Sequence, residues 1–228
     1  MHSYNCDLNW IDTSKIKDMT NIFSSNYFSK FNGDISKWDV SNVENMSYMF
    51  SGSQFKGDIS KWNVSKVTCM YEMFRDSKFN GDISNWDVSN VKNMDLMFYR
   101  STFNKDISNW NVSSVETMDC MFLGSNFNGD ISNWDVSNVK NMKGMFKDCK
   151  FNGDISHWNV SNVEDMSRMF EYNGKFNRDL KNWDVSKVEK ADFIFNKKSS
   201  TVKSPALYNL NYFKKKNKKF NDFILSIE

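Results

Sequence analysis

Proline is all but absent from this chain, with Pro205 alone among 228 residues, and glycine occurs nine times. Collagen-like and proline-rich linker classes are therefore excluded. Leucine is scarce before residue 200, where only Leu8, Leu96, Leu123 and Leu180 occur, which excludes a Leu/Ala-rich helical bundle. No run of about 18–20 apolar residues is present, so no membrane-spanning helix is expected. Charge of one sign is lacking too: the net charge of +2 speaks against a generally polyanion-coating protein. Histidine appears twice (His2, His157) and cysteine four times (Cys6, Cys69, Cys120, Cys149), with no C-x-x-C and no repeat-locked spacing. No zinc site, disulfide ladder, Ser/His/Asp or Cys/His arrangement, phosphate loop or dinucleotide fingerprint can be built from them. No metal or cofactor is expected, and the chain is expected not to be an enzyme.

What the chain does contain is aromatic and periodic. Tryptophan falls at 38, 62, 86, 110, 134, 158 and 183, and phenylalanine at 50, 74, 98, 122, 146, 170 and 195, a period of 24 that ends in one step of 25. The unit reads Phe-Asn-Gly-Asp-Ile-Ser-x-Trp-Asp/Asn-Val-Ser-x-Val-x-x-Met-x-x-Met-Phe, and Asp12 to Phe23, preceded by Trp10, is a divergent first copy. Near-identical units at constant period stack so that each buries its apolar face against its neighbours.

Within the unit, Ile35, Trp38 and Val40 follow the L-x-x-L-x-L pattern of a short parallel strand. Ser41 is placed as a helix N-cap with Glu44 completing a capping box, and Ser113/Glu116, Ser161/Glu164 and Ser186/Glu189 repeat the pairing. Val43, Met46, Met49 and Phe50 then give one face of a two-turn helix ending near Ser51 and Gly52. The expected fold is an α/β solenoid, a stack of about eight strand–helix units. Residues 1–30 read as a divergent N-terminal capping repeat, 31–195 as the regular array and 196–228 as a basic helical C-terminal cap.

The motif Ile-x-x-Trp-x-Val-Ser-x-Val-x-x-Met-x-x-Met-Phe resembles the BspA-like leucine-rich repeat of mycoplasmas, other bacteria and some large viruses. The resemblance covers about residues 8–195. It implies a right-handed leucine-rich-repeat stack and a surface or adhesion-type binding role, in a family whose members are often secreted or lipid-anchored.

On residues alone, the function expected is non-enzymatic binding of another protein or protein complex by a monomer. The alternative is an intracellular phage- or virus-type inhibitor that docks on a host protein or ribonucleoprotein complex. The N-terminal residues carry no basic n-region or apolar h-region and the cysteines show no pairing pattern, which points to the cytoplasm; a leader upstream of Met1 would move the protein to the cell surface.

Two candidate binding surfaces follow. If Trp points inward from a strand, its neighbours point outward. They form one column of Lys37, Lys61, Asn85, Asn109, Asn133, His157 and Asn182, and another of Asp39, Asn63, Asp87, Asn111, Asp135, Asn159 and Asp184. The second surface is the basic run Lys214, Lys215, Lys216, Lys218 and Lys219, in a segment 196–228 with eight lysines against Asp222 and Glu228, a candidate contact for nucleic acid or an acidic partner. The recurring Asp34, Asp58, Asp82, Asp106, Asp130, Asp154 and Asp179 read as turn formers.

Overall fold

A spacing of three between inward-facing residues is the chord of a β-turn as well as a helical step, and the turn is what forms here. The structure is a computed structural model that describes residues 4–24, 30–195 and 212–217. In the first full repeat Trp38 N–H donates to the Ile35 carbonyl (3.1 Å), Val43 to Val40 (2.9 Å), Met49 to Met46 (3.2 Å), Ser51 to Tyr48 (3.0 Å) and Ser53 to Phe50 (3.1 Å). The same five turns recur two repeats later, ending in Ser101 to Phe98 and, one repeat on, Ser125 to Phe122. The apolar pairs Ile35/Trp38, Val40/Val43 and Met46/Met49 thus mark the two ends of turns, both aimed at the core.

The expected strand–helix unit, and with it the α/β leucine-rich-repeat architecture, is overturned. Residues 31–195 contain no helix, and pairing between repeats is confined to isolated bridges. Left-handed backbone interrupts any helix in the Met-x-x-Met-Phe segment, because Tyr48 sits at φ +58° and Gly52 at φ +66°, and their counterparts repeat this. Ser41 is no N-cap; its own N–H donates to Asp39 Oδ1 (3.0 Å), an Asx-turn. Ser113, Ser161 and Ser186 donate likewise to Asn111, Asn159 and Asp184. The capping-box glutamates are also committed elsewhere: the N–H groups of Glu44, Glu116, Glu164 and Glu189 reach across to carbonyls of Lys17, Lys92, Lys140 and Glu164 in the preceding repeat.

Each repeat forms one tier of turns, and tiers stack in parallel register. Bridges run from Asp18 to Asn45, Cys69, Asn93, Thr117, Asn141, Asp165 and Lys190. Beside this line the N–H groups alternate in duty. Those of Met46, Tyr48, Phe50 and Gly52 donate to Cys69, Tyr71, Met73 and Arg75 of the next tier (2.7–3.0 Å), while those of Met49, Ser51 and Ser53 close turns. From Met46 to Ser53, with Ser47 N–H taken by Asn45 Oδ1, every N–H is bonded without a sheet.

Stacking at constant register puts like on like. Phe50, Phe74, Phe98, Phe122, Phe146 and Phe170 form one stacked column with centroids 5.6–5.9 Å apart. The phenylalanine that opens each unit makes a second, from Phe31 through Phe55, Phe79, Phe103, Phe127 and Phe151 to Phe176. The methionines of the Met-x-x-Met-Phe segment lie fully inside, as their spacing indicates. Every tryptophan from Trp62 to Trp183 donates its Nε1–H to the carbonyl of the isoleucine one tier back, as Trp110 does to Ile83 (3.0 Å).

The first tier is shifted by one residue from the expected register. The bridge between Asp7 and Asp34 aligns Ile11 with Trp38, and Trp10 falls in the outward column of Lys37, 80% exposed. At the other end, Phe213 on the short helix 212–216 stacks on Trp183 (6.2 Å), and Asn217 Nδ2 donates to the Val185 and Val188 carbonyls (3.0 and 2.8 Å). These groups cover the last tier. The remainder of the expected C-terminal cap lies outside the described residues.

An asparagine ladder runs along one edge. Asn32 Oδ1 accepts the Lys56 N–H, and Asn80, Asn104, Asn128 and Asn152 each accept the N–H of the residue one tier on (2.7–3.1 Å). Lys56 interrupts it, since an ammonium side chain offers no acceptor to Asn80. Lys56→Asn is expected to complete the ladder and raise stability by about 0.5–1.5 kcal/mol, read as a higher urea midpoint at unchanged slope.

Candidate functional site

The two columns beside tryptophan are brought together as one exposed strip, although on turns and not on a sheet. The side-chain oxygens of Asp39, Asn63, Asp87, Asn111, Asp135, Asn159 and Asp184 each accept the N–H of the serine two residues on (3.0–3.2 Å). The serine hydroxyl and then its N–H hold the carboxyls of Asp39, Asp87, Asp135 and Asp184 below the usual carboxylate range. Asp34, Asp58, Asp82, Asp106, Asp130, Asp154 and Asp179 make the same turn one step earlier. The Asp/Asn column is thus already employed in building the tier. Its neighbours Lys37, Lys61, Asn85, Asn109, Asn133, His157 and Asn182 stay exposed and chemically similar through the middle of the array.

Of the basic run, Lys214 is half-buried, Lys215 and Lys216 are exposed on the helix 212–216, and Lys216 Nζ sits over the Tyr212 ring (5.6 Å). Lys218 and Lys219 lie outside the described residues.

A different surface gathers the residues that change most from tier to tier. Four positions in and directly after the Met-x-x-Met-Phe segment lie outside the apolar core. They hold Ser47, Tyr48, Ser51 and Gly52 in one tier, then Tyr71, Glu72, Arg75 and Asp76, then Asp95, Leu96, Tyr99 and Arg100. Asp119, Cys120, Leu123 and Gly124 follow, then Lys143, Gly144, Lys147 and Asp148, and then Ser167, Arg168, Glu171 and Tyr172. Three of the chain's four arginines stand here.

This face is internally braced. Glu72 is buried and paired with Arg75 (2.8 Å), and buried Glu171 takes both Lys147 (2.5 Å) and Arg168 (3.3 Å). Tyr48 meets Tyr71 edge-on (5.1 Å), and Arg75 and Arg100 both lie over the Tyr99 ring (5.2 and 5.3 Å). Lys147 lies over Tyr172 and Arg168 over Phe193 (5.6 and 5.0 Å). Sequence reasoning passed over this face because its residues follow no template; that departure, strongest at four fixed positions of the unit, was itself the available signal.

The arrangement offers contact surface more than reactive groups. Burial pushes the Cys120 thiol up to about 12 and raises Cys149 as well, so both stay protonated at neutral pH. Cys6, Cys69, Cys120 and Cys149 are all unpaired. Asp95 is raised by burial, and its Oδ1 accepts the Thr117 hydroxyl (2.5 Å) and the Asp119 N–H (2.6 Å). Among the described residues no three His, Cys, Asp or Glu side chains gather to hold a metal ion, and no helix is long and apolar enough to cross a membrane.

No curated protein and no solved structure matches the chain. A family model described as "Mycoplasma protein of unknown function, DUF285" matches residues 1–104, 53–149 and 100–208. The overlapping matches follow from the repeat itself, since a window of about four tiers fits the same pattern at each shift. By that match, extending over residues 1–208, the chain belongs to the Mycoplasma repeat family DUF285.

Proposed function

We propose that the protein is a non-enzymatic binding array that recognises another protein through its variable face. The observation that supports this is the gathering of tyrosine, arginine and leucine at four outward positions of a tier most of whose other positions serve turns, ladders and core. Tyrosine and arginine are enriched among the few residues that dominate the energy of protein interfaces. A backbone fixed by bonds to both neighbouring tiers loses little freedom on binding, so modest contacts add up. The resemblance to BspA-like repeats supports an adhesion role for that binding; the blocking of an intracellular complex is the other use the same surface suits.

The test compares capture from mycoplasma-host extracts by the full chain and two variants. Tyr71→Ser/Tyr99→Ser is expected to lose the partner that wild type retains, and Asn85→Lys/Asn133→Lys, at exposed positions where Lys37 and Lys61 already stand in other tiers, to keep it. The reverse pattern would place recognition on the strip beside tryptophan. A second reading has one observation in its favour, the exposed Lys215 and Lys216 on a helix pinned by Phe213 and Asn217. If that helix binds nucleic acid, affinity falls steeply with salt and is lost when Lys214–Lys216 are neutralised.

A further inference from the structure

Leucine placement singles out one part of the variable face. Of the four leucines before residue 200, Leu180 is fully buried and Leu8 packs against the core. Leu96 and Leu123 instead stand half-exposed on the variable face, in adjacent tiers. Two glycines lie beside Leu123 and its neighbours. A Cβ at Gly144 would lie 2.9 Å from Cys120 Sγ and 3.7 Å from Leu123 Cδ1, and one at Gly124 would lie 3.0 Å from Arg100 Cγ. Their bare backbones let the Leu123 side chain, the Cys120 thiol and the Arg100 stem settle into one apolar patch.

Arg100 also differs from the other cations of this face. Arg75 is paired with Glu72 and Asp76, Lys143 with Asp119 (3.8 Å), and Lys147 and Arg168 with Glu171. Arg100 makes no ion pair among the described residues and is held over Tyr99 instead. Its backbone is left-handed (φ +49°), as are those of Leu96 and Cys120 (both φ +55°). The same two columns accept glycine at Gly52, Gly124 and Gly144, where such a φ carries no steric cost. Bulky side chains held where glycine suffices point to a use outside folding.

Resting on the binding function proposed above, we infer that this patch seats an acidic amphipathic segment of the partner protein. An apolar side chain lies on Leu96, Cys120 and Leu123, and an adjacent carboxylate takes the planar fork of Arg100. The apolar centre beside an unpaired charge matches the core-and-rim build of protein interfaces.

The probe is a random-peptide library displayed on phage, panned against the immobilised full chain, with enriched peptides then synthesised and titrated. Enriched sequences are expected to carry Asp or Glu close to a large apolar residue. Their affinity is expected to fall at least about tenfold with Arg100→Gly and with Leu123→Ser, the scale of a hot-spot loss. Arg100→Gly should keep or raise the Tm, which separates lost recognition from lost folding. Peptides without an acidic residue, or ones that bind Arg100→Gly as tightly as wild type, overturn the inference. Among the latter, sensitivity to Tyr71→Ser leaves the variable face standing as the binding surface, and sensitivity to Asn85→Lys/Asn133→Lys alone overturns both proposals. A library that yields no binder overturns the patch, while capture from host extract still decides the wider function.

Discussion

Replacing Trp110 by alanine is expected to destabilise the protein by about 3–5 kcal/mol, the usual cost of emptying a large aromatic site. Trp110 is 3% exposed and stacks on Trp134 and Phe98, both at 6.4 Å. Burying such a side chain is worth on the order of 4–6 kcal/mol as an upper bound. Trp110→Phe separates the two parts of that sum. Phenylalanine keeps most of the apolar bulk but has no donor for the Ile83 carbonyl, now bonded at 3.0 Å, so about 1–2 kcal/mol should be lost through the hydrogen bond alone. Urea denaturation measures both. Because a tier is supported only by its neighbours, the alanine variant should also melt in two transitions, one for each side of the gap. Equal losses for the two variants would show that the indole N–H, and not the ring, carries the ladder.

Gly33→Ala is expected to cost about 2–3 kcal/mol, at the upper end for a single overpacked methyl, while Gly129→Ala costs under about 1 kcal/mol. Both glycines occupy the same place in the tier. A Cβ at Gly129 meets the Phe127 ring edge at 2.9 Å and backbone no nearer than the Lys105 carbonyl oxygen at 3.7 Å, and Lys105 and Arg178 already place side chains in that column. A Cβ at Gly33 would stand 2.1 Å from the Cys6 carbonyl oxygen, which is backbone and itself accepts the Asp34 N–H (3.1 Å). The methyl must therefore push the first tier off. Amide exchange reports this directly: Leu8, Asn32 and Asp34, whose N–H groups cross that junction, should lose protection while Trp110 and Val115 keep theirs. Uniform loss across the array would contradict a clash confined to the first tier.

The period, the inward residues and the turn-forming aspartates were legible in the sequence, because stacking demands that like residues recur and Asx-turns demand Asp or Asn at fixed places. The local backbone was not. Val43, Met46 and Met49 fit a helical face and a chain of turns equally well. The residues that decide between them are Tyr48, Glu72, Leu96, Cys120 and Arg168, none of which advertises a left-handed φ. Trp10 misled for a related reason: the first tier is offset by 27 residues from the next, and only the bridge between Asp7 and Asp34 reveals that Ile11, not Trp10, holds the inward place. The columns flanking tryptophan were legible as exposed, but their commitment to Ser41, Ser89 and Ser137 became visible only with the hydrogen bonds in place.

The bonds between tiers have a consequence for how the chain folds. Met46 reaches Cys69, Thr68 reaches Glu44 and Trp62 reaches Ile35, so each links residues about one period apart. Closing a flexible loop costs more as the loop lengthens, but here every closure spans the same short stretch, whichever tier is being added. Contact order therefore stays low however long the array becomes, and the search for native contacts does not slow with length. A nucleus formed in any two adjacent tiers offers its neighbours a finished template on both sides. Duplication of one 24-residue block would lengthen the protein, and with it the face it presents, without asking any existing bond to find a new partner.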